Sequence, residues 1–316
     1  MKIIIVSPLN PKLNSGNRTT ARRWRRILRS LGHRVEIATG YDDQSADVMI
    51  ALHARRSATF IRRFRDTNPD RSLLLAMTGT DLYQDIRTSK SARTSLDIAD
   101  RLILLQPDGT NELSVRLRKK CRVIYQSALP PRTICKPIGR HFEVCVIGHL
   151  RSVKDPFRTA LAARMLPSES RIRVVHFGSA LTDDMRKRAE AEMKLNPRYK
   201  WYGNLPHWKT MQRLARSRLM VLTSKLEGGA HVVTEAVVAG VPVISSRISG
   251  SIGLLGADHP GYFDVGDTHQ LAKLMLQAES DRAFYRRLKK ATVSNRSLFH
   301  PRAERNAWRK LLSEIA

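Results

Sequence analysis

The chain has 316 residues and carries 56 Lys and Arg against 28 Asp and Glu, a formal net charge of +28. Its 42% apolar content suffices for a packed core and is too high for a disordered basic tail. No apolar run nears the roughly 18 residues a membrane helix needs, so no integral membrane association is expected. Strand candidates in the first half are Lys2–Val6, Arg34–Ala38, Val48–Leu52, Leu73–Met77, Arg101–Leu105 and Arg122–Tyr125. Several are apolar throughout, as in strands covered on both faces, and helical stretches separate them. The pattern predicts an α/β fold with parallel sheets.

The loop after the first strand, SPLNPKLNSGN, leads into a helix from about Arg18. Gly16 at that junction offers amides and a helix dipole to an anion, with Asn17 and Arg18 as ligand contacts. Trp24, Ile27, Leu28 and Leu31 form an inward stripe, Arg22, Arg23, Arg25, Arg26 and Arg29 lie elsewhere, and Gly32 closes the helix. His53 ends the third strand in ALHARRSA, followed by Arg55. It either meets an oxyanion or simply closes the strand beside a basic helix start. In MTGTDLYQD, residues 77–85, Thr78, Gly79 and Thr80 form a turn suited to phosphate-like oxygens. Asp81 either joins them or caps the next helix.

A break follows at LPPRTICKPIGRH, read as a linker over Leu129–His141. The expected domains are 1–130 and 140–298, with a closing helical segment 299–316. A new strand starts at Phe142, and further candidates are Glu143–Ile147, Arg173–Phe177, Lys200–Tyr202, Leu219–Leu222 and Val241–Ser245. The tail from Pro301 to Ala316 puts Trp308, Leu311, Leu312 and Ile315 on one helical face. Two such halves imply a ligand cleft at the carboxyl ends of their strands.

Two stretches of the second half carry chemistry. In VIGHLRSVKDP, His149, Arg151 and Lys154 occupy a strand–helix turn, where cations offset charge on a leaving diphosphate. In EGGAHVVTEAVVAGVPVISS, residues 227–246, the double glycine makes Glu227 a loop residue and Glu235 an early helical one. The amides of Gly228, Gly229 and Ala230 then stand at a helix amino terminus, open to a sugar or phosphate oxygen. Elsewhere, Cys121, Cys135 and Cys145 are too far apart for a C-x-x-C zinc site or a disulfide framework, so a reduced cytoplasmic protein is expected; with no D-x-D motif or carboxylate cluster either, no metal and no cofactor are expected. Six per cent aromatics and no zinc-finger, RNP or helix-turn-helix signature argue against a specific nucleic-acid partner. The charge reads instead as a field attracting anionic substrates.

Glu227 and Glu235, with Glu235-Ala236 and Gly240-Val241-Pro242-Val243 after them, resemble the E-x7-E and E-A-x-x-x-G-x-P-V pattern of nucleotide-sugar glycosyltransferases of the GT-B fold, family 4 type. The resemblance extends to GHRV after the first helix and to Gly148-His149-Leu150 with Lys154. It implies two Rossmann-like parallel-sheet domains, the first for the acceptor and the second for the nucleotide sugar. It further implies that Glu235 binds the ribose hydroxyls, that Glu227 holds the donor sugar, and that Gly229 and Ala230 add main-chain contacts. Two positions depart from the family: His149 stands where an arginine is usual, with Arg151 beside it, and Thr78 replaces an acceptor-side histidine. Within the fold, the stretches NSGNRTTARRWRRILRSLGHRV, ALHARRSA, MTGTDLY, VIGHLRSVKDPFRTA and ISGSIGLLGADHPGYF are similar to the selenosugar synthases of selenoneine biosynthesis. That similarity implies UDP-N-acetylglucosamine and selenophosphate as substrates. Lys154, Arg151, Glu227 and His53 are then the catalytic candidates. Donor binding falls to His149, Gly228, Gly229, Ala230 and Glu235. Gly16, Asn17, Arg18, Arg55, Thr78, Gly79, Thr80 and Asp81 are the acceptor candidates. Rival readings are a family 4 enzyme acting on a saccharide or lipid hydroxyl, or a nucleic-acid-binding protein on the same scaffold.

Overall fold

The computed structural model describes residues 1–8, 16–131 and 139–315. Most of the loop after the first strand, the middle of the proline-rich stretch and Cys135 lie outside the described residues. The chain forms two compact units, Met1–Gln126 with Pro301–Ala316, and Ser127–His300. It enters the second unit at Ser127, ahead of the Leu129–His141 stretch, because Ala128 N–H already donates to Phe299 O there at 3.1 Å.

Strands of the first unit are β1 (Lys2–Val6), β2 (Arg34–Ala38), β3 (Val48–Leu52), β4 (Ser72–Met77), β5 (Arg101–Leu104) and β6 (Cys121–Val123). They form one sheet in the order β2-β1-β3-β4-β5-β6, parallel throughout. β3 is buried at every residue, which explains its unbroken apolar run VMIAL. The strand order reverses between β1 and β3, so the loops after these strands diverge to opposite faces and leave a crevice at their carboxyl ends.

The second unit repeats the plan with β7 (Phe142–Ile147), β8 (Ile172–Phe177), β9 (Tyr199–Trp201), β10 (Leu219–Leu222), β11 (Val243–Ser246) and β12 (Tyr262–Phe263). Their order is β12-β11-β10-β7-β8-β9, again parallel, with the reversal between β7 and β10. β11 starts at Val243 rather than Val241, because Gly240 ends the preceding helix at φ 72 and Pro242 lacks an N–H for the ladder. β12 has only two residues and no apolar run long enough to announce it.

The helix Gly16–Ser30 begins two residues ahead of the expected Arg18 and packs on the tail helix Pro301–Ser313. Trp24 and Trp308, each 0% exposed, meet edge to face with ring centroids 4.9 Å apart. Trp24 Nε1–H donates to the buried carboxylate of Glu304 at 3.2 Å, and Leu311 and Leu312 continue the contact into the first core. The tail is therefore a structural part of the first unit. Replacing Trp308 by Ala leaves a cavity worth about 3–5 kcal/mol. Equilibrium urea unfolding followed by fluorescence should show that loss, whereas Arg309→Ala on the exposed side of the same helix should shift it by less than about 0.5 kcal/mol.

Candidate active site

In the second unit the turn after β7 and the loop after β10 come together at the point of strand reversal. His176, fully buried on β8, is held neutral, its pKa lowered by burial to about 4. Its Nε2–H donates to Gly148 O at 3.0 Å while Nδ1 accepts from Tyr199 Oη at 3.0 Å, which fixes where β7 ends. His149 Nδ1 then accepts from Ser179 N–H at 3.0 Å. Arg151 is exposed and makes no ion pair with a described residue. Lys154 closes a short 3₁₀ turn, Ser152–Lys154. Two contacts pin that turn to the loop after β10. Lys225 N–H donates to Val153 O at 2.9 Å, and Thr223 Oγ1–H lies 2.9 Å from both Lys154 O and Asp155 O.

The result is an ion pair between Lys154 Nζ and Glu227 Oε1, to which Ser224 Oγ also donates at 2.6 Å. Glu227 is further fixed by Gly250, where a Cβ would lie 2.2 Å from Glu227 O, so no larger residue fits there. Gly228 is buried, Gly229 half-buried, and Ala230 is the first residue of the turn that opens the helix His231–Ala239. No side chain among the described residues caps this helix and its first turn carries no acid, which leaves the positive end of its dipole uncompensated there.

Glu235 lies one turn into that helix and is 5% exposed. His207 Nε2 and His231 Nδ1 approach its Oε1 at 2.7 and 3.1 Å. His231 Nε2 also faces Ser127 O at 3.1 Å, so each of its ring nitrogens lies against an oxygen. Burial is the largest influence on Glu235 and pushes its pKa up. The charge of His231 and the hydrogen bonds from both imidazoles outweigh it and bring the pKa down to about 2. The carboxylate is thus ionised although almost enclosed. His207, whose side chain is 75% exposed, covers its outer side. His207 reaches Glu235 across 28 residues, a contact that no local motif signals.

The first unit offers a second cluster. His53 follows β3 at φ 79, a left-handed backbone that a non-glycine residue adopts at a cost. Its Nε2 is 3.3 Å from Thr80 Oγ1 and 3.7 Å from Asp85 Oδ2. Burial holds its pKa below the ordinary range; Asp81 and Asp85 pull it up, and Arg56 and Arg55 push it down. Asp81 is 0% exposed and accepts from the amides of Thr78, Gly79 and Ala54 at 3.0, 2.8 and 3.1 Å. It therefore clamps the ends of β3 and β4 together rather than presenting its carboxylate outward. Thr78, Gly79 and Thr80 remain half-buried at the start of a wide π-helical turn, Asp81–Asp85. Asp85, passed over in the sequence, pairs with Arg55 Nε at 3.1 Å, and its buried Oδ2 has no hydrogen-bond partner among the described residues. Gly16 is exposed and Asn17 and Arg18 half-exposed at the start of the first helix; the residues just before them lie outside the described set.

The family of glycosyl transferases described as group 1 matches residues 137–294, half of the chain. The chain belongs to the group 1 glycosyl transferases. None of the curated proteins matches it significantly. Among solved structures, this group 1 glycosyl transferase is similar to sucrose-phosphate synthase from Thermosynechococcus elongatus, at 16% identity and a TM-score of 0.79, over 99% of this chain and 98% of that one. It is also similar to HepE of Anabaena, in structures with UDP and glucose, at 16% identity and a TM-score of 0.75 over 99% and 100% of the two chains. A pneumococcal O-GlcNAc transferase, bound to UDP and GlcNAc, shares 14% identity and a TM-score of 0.65 over 84% of this chain and 57% of its own. These likenesses show the GT-B fold. No helix among the transferase's described residues is long and apolar enough to cross a membrane.

The depressed pKa of Glu235 is a stability statement. Its contribution is complete above about pH 4.5, the ordinary value, and is lost as pH falls toward 2. A shift of that size corresponds to about 3 kcal/mol. Acid unfolding should therefore be less steep between pH 4.5 and 2 in Glu235→Gln than in the parent. Parallel acid titrations by circular dichroism would show it, and curves of equal slope would mean that the imidazoles do not hold the carboxylate charged.

Proposed function

We propose that the protein is a UDP-sugar glycosyltransferase that joins selenophosphate to the anomeric carbon of N-acetylglucosamine, with UDP as leaving group. The observation that carries the donor half is the Lys154–Glu227 pair beside an uncapped helix amino terminus, with ionised Glu235 one turn further along. UDP and UDP-glucose in the HepE structures support a uridine diphosphate donor, and GlcNAc in the pneumococcal enzyme supports the sugar.

In this reading, Glu235 accepts from the ribose hydroxyls as His207 swings outward. The amides of Gly228, Gly229 and Ala230, with His149, line the donor. Lys154 and Arg151 face the diphosphate, and Glu227 exchanges its lysine partner for hydroxyls of the sugar. As the bond from the anomeric carbon to the diphosphate oxygen breaks, negative charge grows on that oxygen, and a fixed cation there lowers the barrier. Selenium attacks as an ionised soft nucleophile, so no general base is needed to activate it. A carbon–selenium bond replaces the carbon–oxygen bond, and water must later cleave the phosphorus–selenium bond to release phosphate. The acceptor group is assigned to Gly16, Asn17, Arg18, His53, Arg55 and Thr78 to Thr80, with Asp81 holding the turn. Neutral His53 with Thr80 offers hydrogen-bond donors to a phosphoryl oxygen, and Arg55 offers charge.

Incubation with UDP-N-acetylglucosamine and selenophosphate should release UDP and give a selenium-containing sugar detectable by mass spectrometry. Glu235→Ala should raise KM for the nucleotide sugar, and Glu227→Ala should mainly lower kcat. Each should change by roughly ten- to a hundredfold, the worth of a hydrogen bond to a charged group. Arg55→Ala should raise KM for selenophosphate and leave that of the donor unchanged. Turnover on a hydroxyl acceptor without UDP release by selenophosphate would overturn the acceptor assignment and keep the donor site.

A further inference from the structure

At the opposite end of the second sheet from the donor candidates lies a groove of about 460 Å³. Phe142 begins β7, Arg171 and Arg218 immediately precede β8 and β10, and Arg282, Tyr285 and Arg286 come from the helix Arg282–Val293. The length of β7 separates this groove from the turn carrying Lys154 by roughly 17 Å, since a strand rises about 3.3 Å per residue. It is therefore a separate place on the unit.

Four arginines from three chain segments line it, Arg171, Arg282 and Arg286 exposed and Arg218 half-buried, and Glu279 is the one carboxylate among the lining residues. Both of its oxygens are engaged: Oε2 accepts from Ser170 Oγ at 2.6 Å and Oε1 from Arg171 N–H at 2.8 Å. Arg171, Arg282 and Arg286 make no ion pair with a described residue, although arginines elsewhere, such as Arg63, Arg65 and Arg122, find carboxylates at 2.7, 2.6 and 2.7 Å. Arg282 and Arg286 stand four apart on one helix, where like charges repel. The helix gains nothing from them at its amino end, which Asp281 already caps through the amides of Ala283 and Phe284. One wall is apolar and fixed. Tyr285 Oη–H donates to Arg218 O at 2.8 Å, which leaves its ring against Phe142 at 6.0 Å, edge to face.

We infer that this groove is a second anion site, built for a small ligand with two or more phosphoryl groups. Several guanidinium forks around a concave floor fit multiple phosphoryl oxygens, and binding relieves their mutual repulsion. One carboxyl or sulfate group would engage too few of them. The site does not depend on the identity of the donor or the acceptor.

The test is calorimetric titration with inorganic tripolyphosphate at about 0.15 M salt, where charges more than about 8 Å apart are screened. With the donor end filled by excess UDP, the parent should still bind tripolyphosphate saturably, and this UDP-insensitive binding is the quantity compared among variants. Arg282→Ala/Arg286→Ala should weaken binding by at least about tenfold, given the worth of charge-assisted hydrogen bonds. Arg22→Ala/Arg26→Ala removes the same charge from the exposed side of the first helix and should change affinity by less than about twofold, as expected of screened distant charges. Arg282→Lys/Arg286→Lys should fall between, because it keeps the charge and loses the fork. Equal weakening in the two alanine pairs would mean that only the overall field attracts the anion, and the site would not exist. Complete displacement by UDP would transfer the binding to the donor end, and absence of saturation would also overturn the proposal.

Discussion

Parallel pairing of β7 with β10 at the point where the strand order reverses is the constraint on which the candidate donor site depends. In a parallel sheet every strand delivers its carboxyl end to the same edge, and at a reversal the following segments part to opposite faces. The turn carrying Lys154 and the loop carrying Glu227 are brought side by side for that reason alone, though 73 residues separate them. Once adjacent, the two backbones lock through Lys225 N–H to Val153 O and through the Thr223 hydroxyl. The ion pair is then a consequence of topology and is not needed to create it. A ligand can accordingly take either partner without unpicking the fold.

Glu235 is managed differently. A carboxylate at 5% exposure is costly unless it is neutralised or paired, and here two imidazoles share one oxygen. The inner partner, His231, is tied on its far side to Ser127 O and belongs to the same helix as Glu235. The outer partner, His207, is mostly exposed and belongs to another helix. The inner histidine is held from within the unit, and the exposed one is the partner that solvent reaches. An arrangement of this kind keeps the carboxylate charged although it is almost enclosed.

The strands were legible wherever they are covered on both faces. β1, β3 and β10 have the bounds read from the sequence, because their apolar runs end abruptly at polar turns. β12 was not legible, since two residues after Pro260-Gly261 carry no periodicity. Of the candidate site, the local geometry of Glu227, the double glycine and Glu235 could be read, because all lie within one loop and helix. Asp85 and His207 could not. Each acts through a contact that only the folded chain creates, and a histidine after a proline or an aspartate in a polar turn looks like any surface residue. Asp81 stood open between ligand and cap, and three backbone amides on its carboxylate identify it as the group that holds the turn.

The charge follows from the same accounting of partners. With 56 cations and 28 carboxylates, one-to-one pairing would leave half of the Lys and Arg side chains without a carboxylate. Some acids are also committed elsewhere, Asp81 and Glu279 to backbone amides. The surplus raises the local concentration of anions around the whole molecule, and salt weakens that effect within a Debye length. It cannot choose among anions, because a diffuse field responds to charge and not to shape. Choice has to come from places where cations are held at fixed spacing against a shaped wall. The turn after β7, with Lys154 pinned beside Glu227, meets that condition, and an exposed helix lined with arginines does not.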